Sequence, residues 1–196
     1  MIRFFDVLFS FVGLILLSPV FLLIALIIRL SSRGPVFYRQ ERIGLHGKPF
    51  RLYKFRSMYT DADKRGLPIT VGARDPRITG AGYFLRKYKL DELPQLLNVL
   101  KGEMSLVGPR PEVKKYVDLY TDAQRKVLDV RPGITDLASI SFRDENALLQ
   151  QYPDPEKAYI EIVMPEKIRL NMAFINAPTP GAYFKIIFRT IKSIFN

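Results

Sequence analysis

Val7-Leu8-Phe9-Ser10-Phe11-Val12-Gly13-Leu14-Ile15-Leu16-Leu17-Ser18-Pro19-Val20-Phe21-Leu22-Leu23-Ile24-Ala25-Leu26-Ile27-Ile28 is a run of 22 residues without a charge. As a straight helix it would measure roughly 33 Å, enough to cross a bilayer. It is too long for a cleaved signal peptide, and no small-residue cleavage site precedes the basic stretch Arg29 to Arg33. Two details oppose a simple span. Ser18-Pro19 stands at the midpoint, where proline removes a helix hydrogen bond and bends the chain. Arg3 precedes the run while Arg29 and Arg33 close it, so both ends favour the cytoplasmic side. A helix bent at Ser18-Pro19 could enter and leave by one face, its freed backbone groups re-satisfied by the Ser18 hydroxyl. Single span and re-entrant hairpin both stand on these residues alone.

After the run, Val36-Phe37-Tyr38-Arg39-Gln40 and Phe50-Arg51-Leu52-Tyr53-Lys54-Phe55-Arg56 flank the turn Gly44-Leu45-His46-Gly47-Lys48 and predict a β-hairpin. Lys54 and Arg56 would share one face of its second strand as a cationic cluster, or form a solvated edge. Thr60 to Thr79, with Gly66, Pro68, Gly72 and Pro76, predicts a long loop. Arg86, Lys87 and Lys89 lead from it into Asp91.

Leu90 to Leu100 predicts a short helix that carries two adjacent carboxylates at its start. Leu90, Leu93, Leu97 and Leu100 fall on helical spacing, Pro94 suits the first turn and Gly102 is a stop. The helix dipole would favour ionised Asp91 and Glu92. An ionised Asp can be a nucleophile, and a neighbouring Glu can hold a hard cation. On these two residues alone, ordinary helix capping is the better explanation. The sequel Met104-Ser105-Leu106-Val107-Gly108-Pro109-Arg110-Pro111 alters the balance, because two prolines fix the backbone around one guanidinium. Rigid arginine suits bidentate phosphate binding. Carboxylate pair and caged arginine together suit phosphoryl transfer.

Glu112 to Val130 predicts a helix with Tyr116, Tyr120 and Val127 as core contacts. Tyr152-Pro153-Asp154-Pro155 breaks the chain before a final helical region. At the C-terminus Phe184, Ile187, Phe188, Ile191, Ile194 and Phe195 line one side of a helix, with Lys185, Arg189 and Lys192 on the other. Such a basic amphipathic helix can lie in a membrane surface or pack on the core.

Composition narrows the chemistry. There is no cysteine, so disulfides and thiol catalysis are excluded. His46 is the single histidine, so any metal would be held by oxygen, as magnesium or manganese is. Thirty Lys and Arg against 19 Asp and Glu give +11, which calls for an anionic partner: nucleic acid, anionic lipid or a phosphorylated substrate.

These stretches resemble the bacterial sugar transferases, the monotopic phosphoglycosyl transferases, and among them a small single-domain member. The resemblance runs in order through Arg3-Phe4-Phe5-Asp6, Leu17-Ser18-Pro19, Gly34-Pro35-Val36-Phe37, Lys54-Phe55-Arg56-Ser57-Met58, Leu90 to Gly102, Met104 to Pro111 and Val130-Arg131-Pro132-Gly133-Ile134-Thr135. It implies an α+β, mostly helical fold. Residues 1–33 would be a re-entrant membrane helix hinged at Ser18 and Pro19. Residues 34–196 would be a catalytic domain on the cytoplasmic face of the bacterial inner membrane, with an amphipathic helix at 183–196. Asp91 matches the nucleophile that takes a phosphosugar from a nucleoside diphosphate sugar, expected to be a UDP-sugar. A polyprenol phosphate then accepts it. Glu92 matches the Mg2+ position and Arg110 the phosphate-binding arginine, with Arg86, Lys54 and Arg56 as further phosphate contacts. The implied partners are the nucleotide sugar, the polyprenol phosphate and the bilayer, with no nucleic acid.

The chain departs from the pattern where many relatives read Gly-Trp-Ala-Gln and it reads Asp136-Leu137-Ala138-Ser139, and where Asn171 replaces an Asp. The sugar, the base and the oligomeric state are not legible. The alternatives are a non-catalytic basic module for anionic surfaces and a metal-dependent phosphodiesterase. The first leaves the carboxylate pair and the proline-caged Arg110 unexplained; the second would consume its substrate without needing an acceptor.

Overall fold

The computed structural model describes residues 2–62 and 75–195. Two helices, α1 (Ile2–Leu16) and α2 (Ser18–Ser31), meet at 61°. The bend has a local cause. Pro19 has no N–H to give the Ile15 carbonyl four residues back, and the Ser18 hydroxyl donates to that carbonyl instead at 2.8 Å. Among the described residues no single helix is long and apolar enough to cross a membrane, whereas this bent pair passes that test together. Among the described residues, fourteen of the 23 exposed large hydrophobic side chains lie on it.

The pair is fastened to the rest of the chain at three points. Asp6, 2% exposed, accepts from Ser105 Oγ, the Leu106 N–H and the Tyr183 hydroxyl, each at 2.9 Å. Hydrogen bonds to a buried charge contribute about 1.5–3 kcal/mol each, against about 0–1 for a surface ion pair, so Asp6 outweighs the peripheral pairs as an anchor. Arg3 donates to the Leu100 and Met104 carbonyls at 3.3 Å. Arg56 closes the other end, donating to the carbonyls of Ile28, Ser32 and Arg33 at the end of α2.

The expected hairpin is present as β1 (Phe37–Ile43) and β2 (Pro49–Phe55), antiparallel with Phe37 opposite Phe55 and Tyr38 opposite Lys54. His46, at φ 55, turns the chain between them. Phe55 packs with Ile24 and Ile28 of α2 and with Leu85 of α3 (Gly80–Lys87). Residues 63–74, the centre of the expected loop, lie outside the described residues. The flanks meet where Met58 bridges Ile78 and the Tyr59 N–H donates to the Arg77 carbonyl at 2.9 Å.

The single helix expected from Leu90 to Leu100 is two pieces, a tight turn Leu90–Glu92 and α4 (Gln95–Lys101). Pro94 stands between them as the N-cap of α4, and Gly102 ends α4 at φ 83. Buried Asn98 of α4 accepts from the Tyr53 N–H at 3.0 Å and donates to the Arg51 carbonyl at 2.8 Å, so α4 is docked on the edge of β2.

β3 (Ser105–Val107) then pairs in parallel with β4 (Gly133–Thr135), a ladder that turn-like sequence did not announce. Between them the helix expected over Glu112 to Val130 is broken into α5 (Lys114–Val117) and α6 (Asp122–Arg125), followed by a turn Lys126–Asp129. The break has a cap as its reason: Thr121 is extended and exchanges side-chain and backbone hydrogen bonds with Gln124. Tyr116, Tyr120 and Val127 are buried as expected. α7 (Leu137–Ser141), α8 (Glu145–Leu149) and α9 (Pro155–Ala158) follow, and a widened turn Tyr159–Val163 leads into α10 (Met164–Ile175). α11 (Pro180–Phe195) begins three residues before the expected boundary at 183. Tyr116, Val127, Leu149, Tyr159, Val163 and Ile168 form the largest core, while Val107, Tyr183 and Ile186 seat α11 on β3.

Candidate active site

The turn Leu90–Glu92 is entered through Lys89, a non-glycine residue in the left-handed region at φ 55. That conformation is uncommon outside glycine and gathers at functional sites. Here it reverses the chain out of α3 and turns Asp91 and Glu92 into a cavity of about 450 Å³. Leu90 and Leu93 hold the turn by packing on the core shared by α2 and β2.

Arg110 reaches the same cavity from the loop after β3. Its loop lies flat on the segment before β4, and two glycines allow that contact: a Cβ on Gly133 would fall 2.1 Å from the Gly108 nitrogen, and one on Gly108 would fall 2.5 Å from the Arg131 carbonyl oxygen. The Gly108 N–H donates to the Thr135 carbonyl at 3.0 Å, and the Gly133 N–H donates to the Pro109 carbonyl at 2.9 Å. Arg42 holds the next residue through the Pro111 carbonyl at 3.2 Å. The prolines and these bonds leave little freedom upstream of the guanidinium.

Glu92 takes the Arg110 fork on both oxygens, Nη1 to Oε2 at 3.0 Å and Nη2 to Oε1, and Lys54 approaches Oε1 at 3.4 Å. Arg110 and Lys54 hold the Glu92 carboxyl far below its ordinary range despite its burial, and Glu92 in return raises Arg110. Burial lowers Lys54 from its ordinary value of 10.5, with Glu92 and Asp91 opposing. Asp91 behaves differently. It is 6% exposed, and its carboxylate takes none of the side-chain hydrogen bonds found among the described residues. Burial, then Glu92, raises its carboxyl above the ordinary 3.8, with Lys54, Arg86 and Lys89 pulling the other way. The helix-dipole expectation therefore needs correcting: Asp91 lies ahead of α4 rather than on its first turn, and desolvation outweighs the dipole.

Asp91, Glu92, Lys54, Arg86 and Arg110 all line the one cavity, as sequence reasoning grouped them. Arg56 does not join them. It is 5% exposed and its guanidinium serves the carbonyls ending α2, so Lys54 and Arg56 part company despite their spacing of two. Ser18 and Pro19 form the bend already described. The residues that sequence reasoning noted only as departures, Asp136 and Asn171, turn out to support Arg110. Buried Asp136 caps α7 at the Ser139 N–H, and its Oδ2 accepts from the Arg110 N–H and from Asn171 Nδ2, both at 2.9 Å. The signal available was the N-cap pattern Asp136-x-x-Ser139.

For a metal, the donor set is oxygen only. Among the described residues no group of three acidic or His side chains converges. The pair Asp91 and Glu92 fits Mg2+, which typically takes one or two carboxylates and completes its shell with substrate phosphates and water.

Comparison with known proteins gives a consistent picture. The bacterial sugar transferase family matches residues 1–196. The chain is 47% identical over 144 residues to the uncharacterized sugar transferase EpsL of Bacillus subtilis, covering 72% of this chain and 69% of that protein. It is 45% identical over 157 residues to the exopolysaccharide production protein ExoY of Rhizobium meliloti, covering 73% and 70%. It is also 38% identical over 191 residues to the UDP-glucose:undecaprenyl-phosphate glucose-1-phosphate transferase of Escherichia coli, where the match covers 95% of this chain but 38% of that longer protein.

Proposed function

The chain belongs to the bacterial sugar transferase family, and from that membership and the cavity's chemistry we propose that it moves a sugar 1-phosphate from a nucleoside diphosphate sugar, a UDP-sugar by preference, to a polyprenol phosphate. The observation that carries this reading is Asp91, buried and without a side-chain hydrogen bond among the described residues, in a cavity also lined by Arg110, Lys54 and Arg86. A carboxylate without a partner can attack, and the neighbouring cations can take the charge of a transferring phosphoryl group.

In the first half-reaction an Asp91 carboxylate oxygen bonds to the phosphorus bearing the sugar, and the bond from that phosphorus to the bridging oxygen breaks. The electron pair leaves with the nucleoside monophosphate. In the second, an oxygen of polyprenol phosphate attacks the same phosphorus, the acyl phosphate bond breaks and Asp91 returns as carboxylate. Two displacements replace one difficult transfer between a soluble and a lipid substrate. Glu92 holds the Arg110 fork and Lys54 near the reacting phosphate. Mg2+, held by Glu92 with Asp91 beside it, would neutralise phosphate charge. The bent pair α1 and α2, with its exposed apolar surface, would enter the inner membrane from the cytoplasmic face and return to it, keeping the cavity at the lipid boundary.

Incubating membranes that hold the protein with UDP-sugars, polyprenol phosphate and Mg2+ tests the reading. UMP release that requires a specific sugar is expected, and a broad nucleotide-sugar panel yielding no nucleoside monophosphate would contradict it. Chelating divalent cations should stop release and added Mg2+ restore it.

A further inference from the structure

Going round α11 at 3.6 residues per turn, four strips follow in order. Tyr183 and Ile186 are buried in the core. Ile187 and Ile191 line the cavity. Phe184 packs on Phe5 and Phe9 of α1 at 5.2 and 6.1 Å between ring centres, and Phe188 beside it is exposed. Lys185, Arg189 and Lys192 complete the circle. The cavity wall therefore runs onto the outer apolar surface of α11 and α1 without crossing a charged strip. Leu96, also in the wall, stands next to α1, where a Cβ on Gly13 would lie 3.5 Å from its Cδ1.

This wall offers little to a nucleotide. On it the Thr135 and Thr190 hydroxyls bond each other at 2.6 Å, Thr190 also donates to the Ile186 carbonyl at 2.9 Å, and Ser193 donates to the Thr190 carbonyl at 2.8 Å. Arg143, Asn146 and Lys167, which line the same cavity, are the better match for a soluble donor. Among the described residues the cavity lining carries seven cationic side chains against three carboxylates. Cations together with the apolar strip of Ile187 and Ile191 suit a molecule with an anionic head and a hydrocarbon tail.

Resting on the reading above, we infer that Ile187 and Ile191 of α11, together with Leu96, seat the first isoprene units of the polyprenol phosphate. Its phosphate then lies toward Asp91 and the cations, and α11 forms a wall of the acceptor site as well as a membrane contact.

Steady-state kinetics on the full chain in lipid nanodiscs, using prenyl phosphates of one, two and four isoprene units, test this. Wild-type KM for the acceptor should fall as units are added. Ile191→Asn, at a half-exposed position, should raise that KM about tenfold and flatten the dependence on length, with the donor KM within twofold. Leu96→Ala, from a different element, should give the same split. Acceptor KM unchanged in both variants, or donor KM rising in parallel, would overturn the inference. Absence of acceptor-free nucleotide release by the wild type would instead strike the functional reading itself.

Discussion

Glu92 is held by Arg110 and Lys54 while its neighbour Asp91 has no such partner among the described residues, and their carboxyls move in opposite directions from their ordinary values. The consequences for stability carry opposite signs. Glu92 titrates lower in the folded chain than in the unfolded one, so its contribution is complete above pH 4.5 and is lost as acid takes it toward its folded value. Glu92→Gln should lower Tm at pH 7 by several degrees, because it leaves two half-buried cations short of a partner, a loss on the order of 3 kcal/mol. Asp91 is raised, so its ionised form is penalised in the folded chain at neutral pH. Asp91→Asn should therefore abolish turnover yet raise Tm, with the gain shrinking as pH falls toward 4, a trade of stability for activity that differential scanning fluorimetry can follow. The pH–rate profile should carry both marks. Its acid limb should lie above the ordinary Asp value of 3.8. Its alkaline limb should lie below 10.5, set by Lys54, and move up in Lys54→Arg.

At the scale of elements, the Arg110 loop is supported by a hydrogen-bond set centred on Asp136. Asp136→Asn sets an amide N–H₂ among three donors, and should lower kcat roughly 100-fold through misplacement of the fork with a smaller change in donor KM. Adding Asn171→Asp should recover part of that loss, since the exchanged pair again holds one carboxylate and one amide. The bend between α1 and α2 makes a second prediction. Pro19→Ala permits a straight helix of about 45 Å, longer than a bilayer core. Cysteines placed at Ile2 and Ser32 of a chain that has none should be labelled from the same side in the parent and from opposite sides in Pro19→Ala. What the sequence made legible at this scale was the strongly patterned part: the Ser18-Pro19 bend, the hairpin, the stop at Gly102, the amphipathic α11 and the grouping of Asp91, Glu92, Lys54, Arg86 and Arg110. The misses share a physical origin. A two-residue spacing put Arg56 with Lys54, but the carbonyls ending α2 compete for its guanidinium. Local periodicity joined α5 to α6 across a cap at Thr121. The parallel pair β3 and β4 rests on contacts between segments 28 residues apart, which no local pattern reports.

For the whole molecule, three features meet at one place: an apolar bent helix pair, a cavity lined by more cations than carboxylates among the described residues, and a helix that touches both. Asp6 ties α1 to β3 and α11 in a single buried set of hydrogen bonds, so the site and the exposed apolar surface of the bent pair are positioned as one unit. Asp6→Ala should leave three buried donors without an acceptor, a loss of about 1–3 kcal/mol for each, and lower the yield of folded, extractable protein. Nucleotide release at Asp91 should precede acceptor binding. Mixing the protein with a nucleoside diphosphate sugar and Mg2+ in the absence of any polyprenol phosphate, then quenching and mapping peptides by mass spectrometry, reads it directly. The expected result is about one equivalent of nucleoside monophosphate per protein and a phosphosugar on the peptide containing Asp91, discharged when polyprenol phosphate is added. Acceptor-dependent transfer with no prior nucleotide release, or an adduct on another residue, would contradict the account.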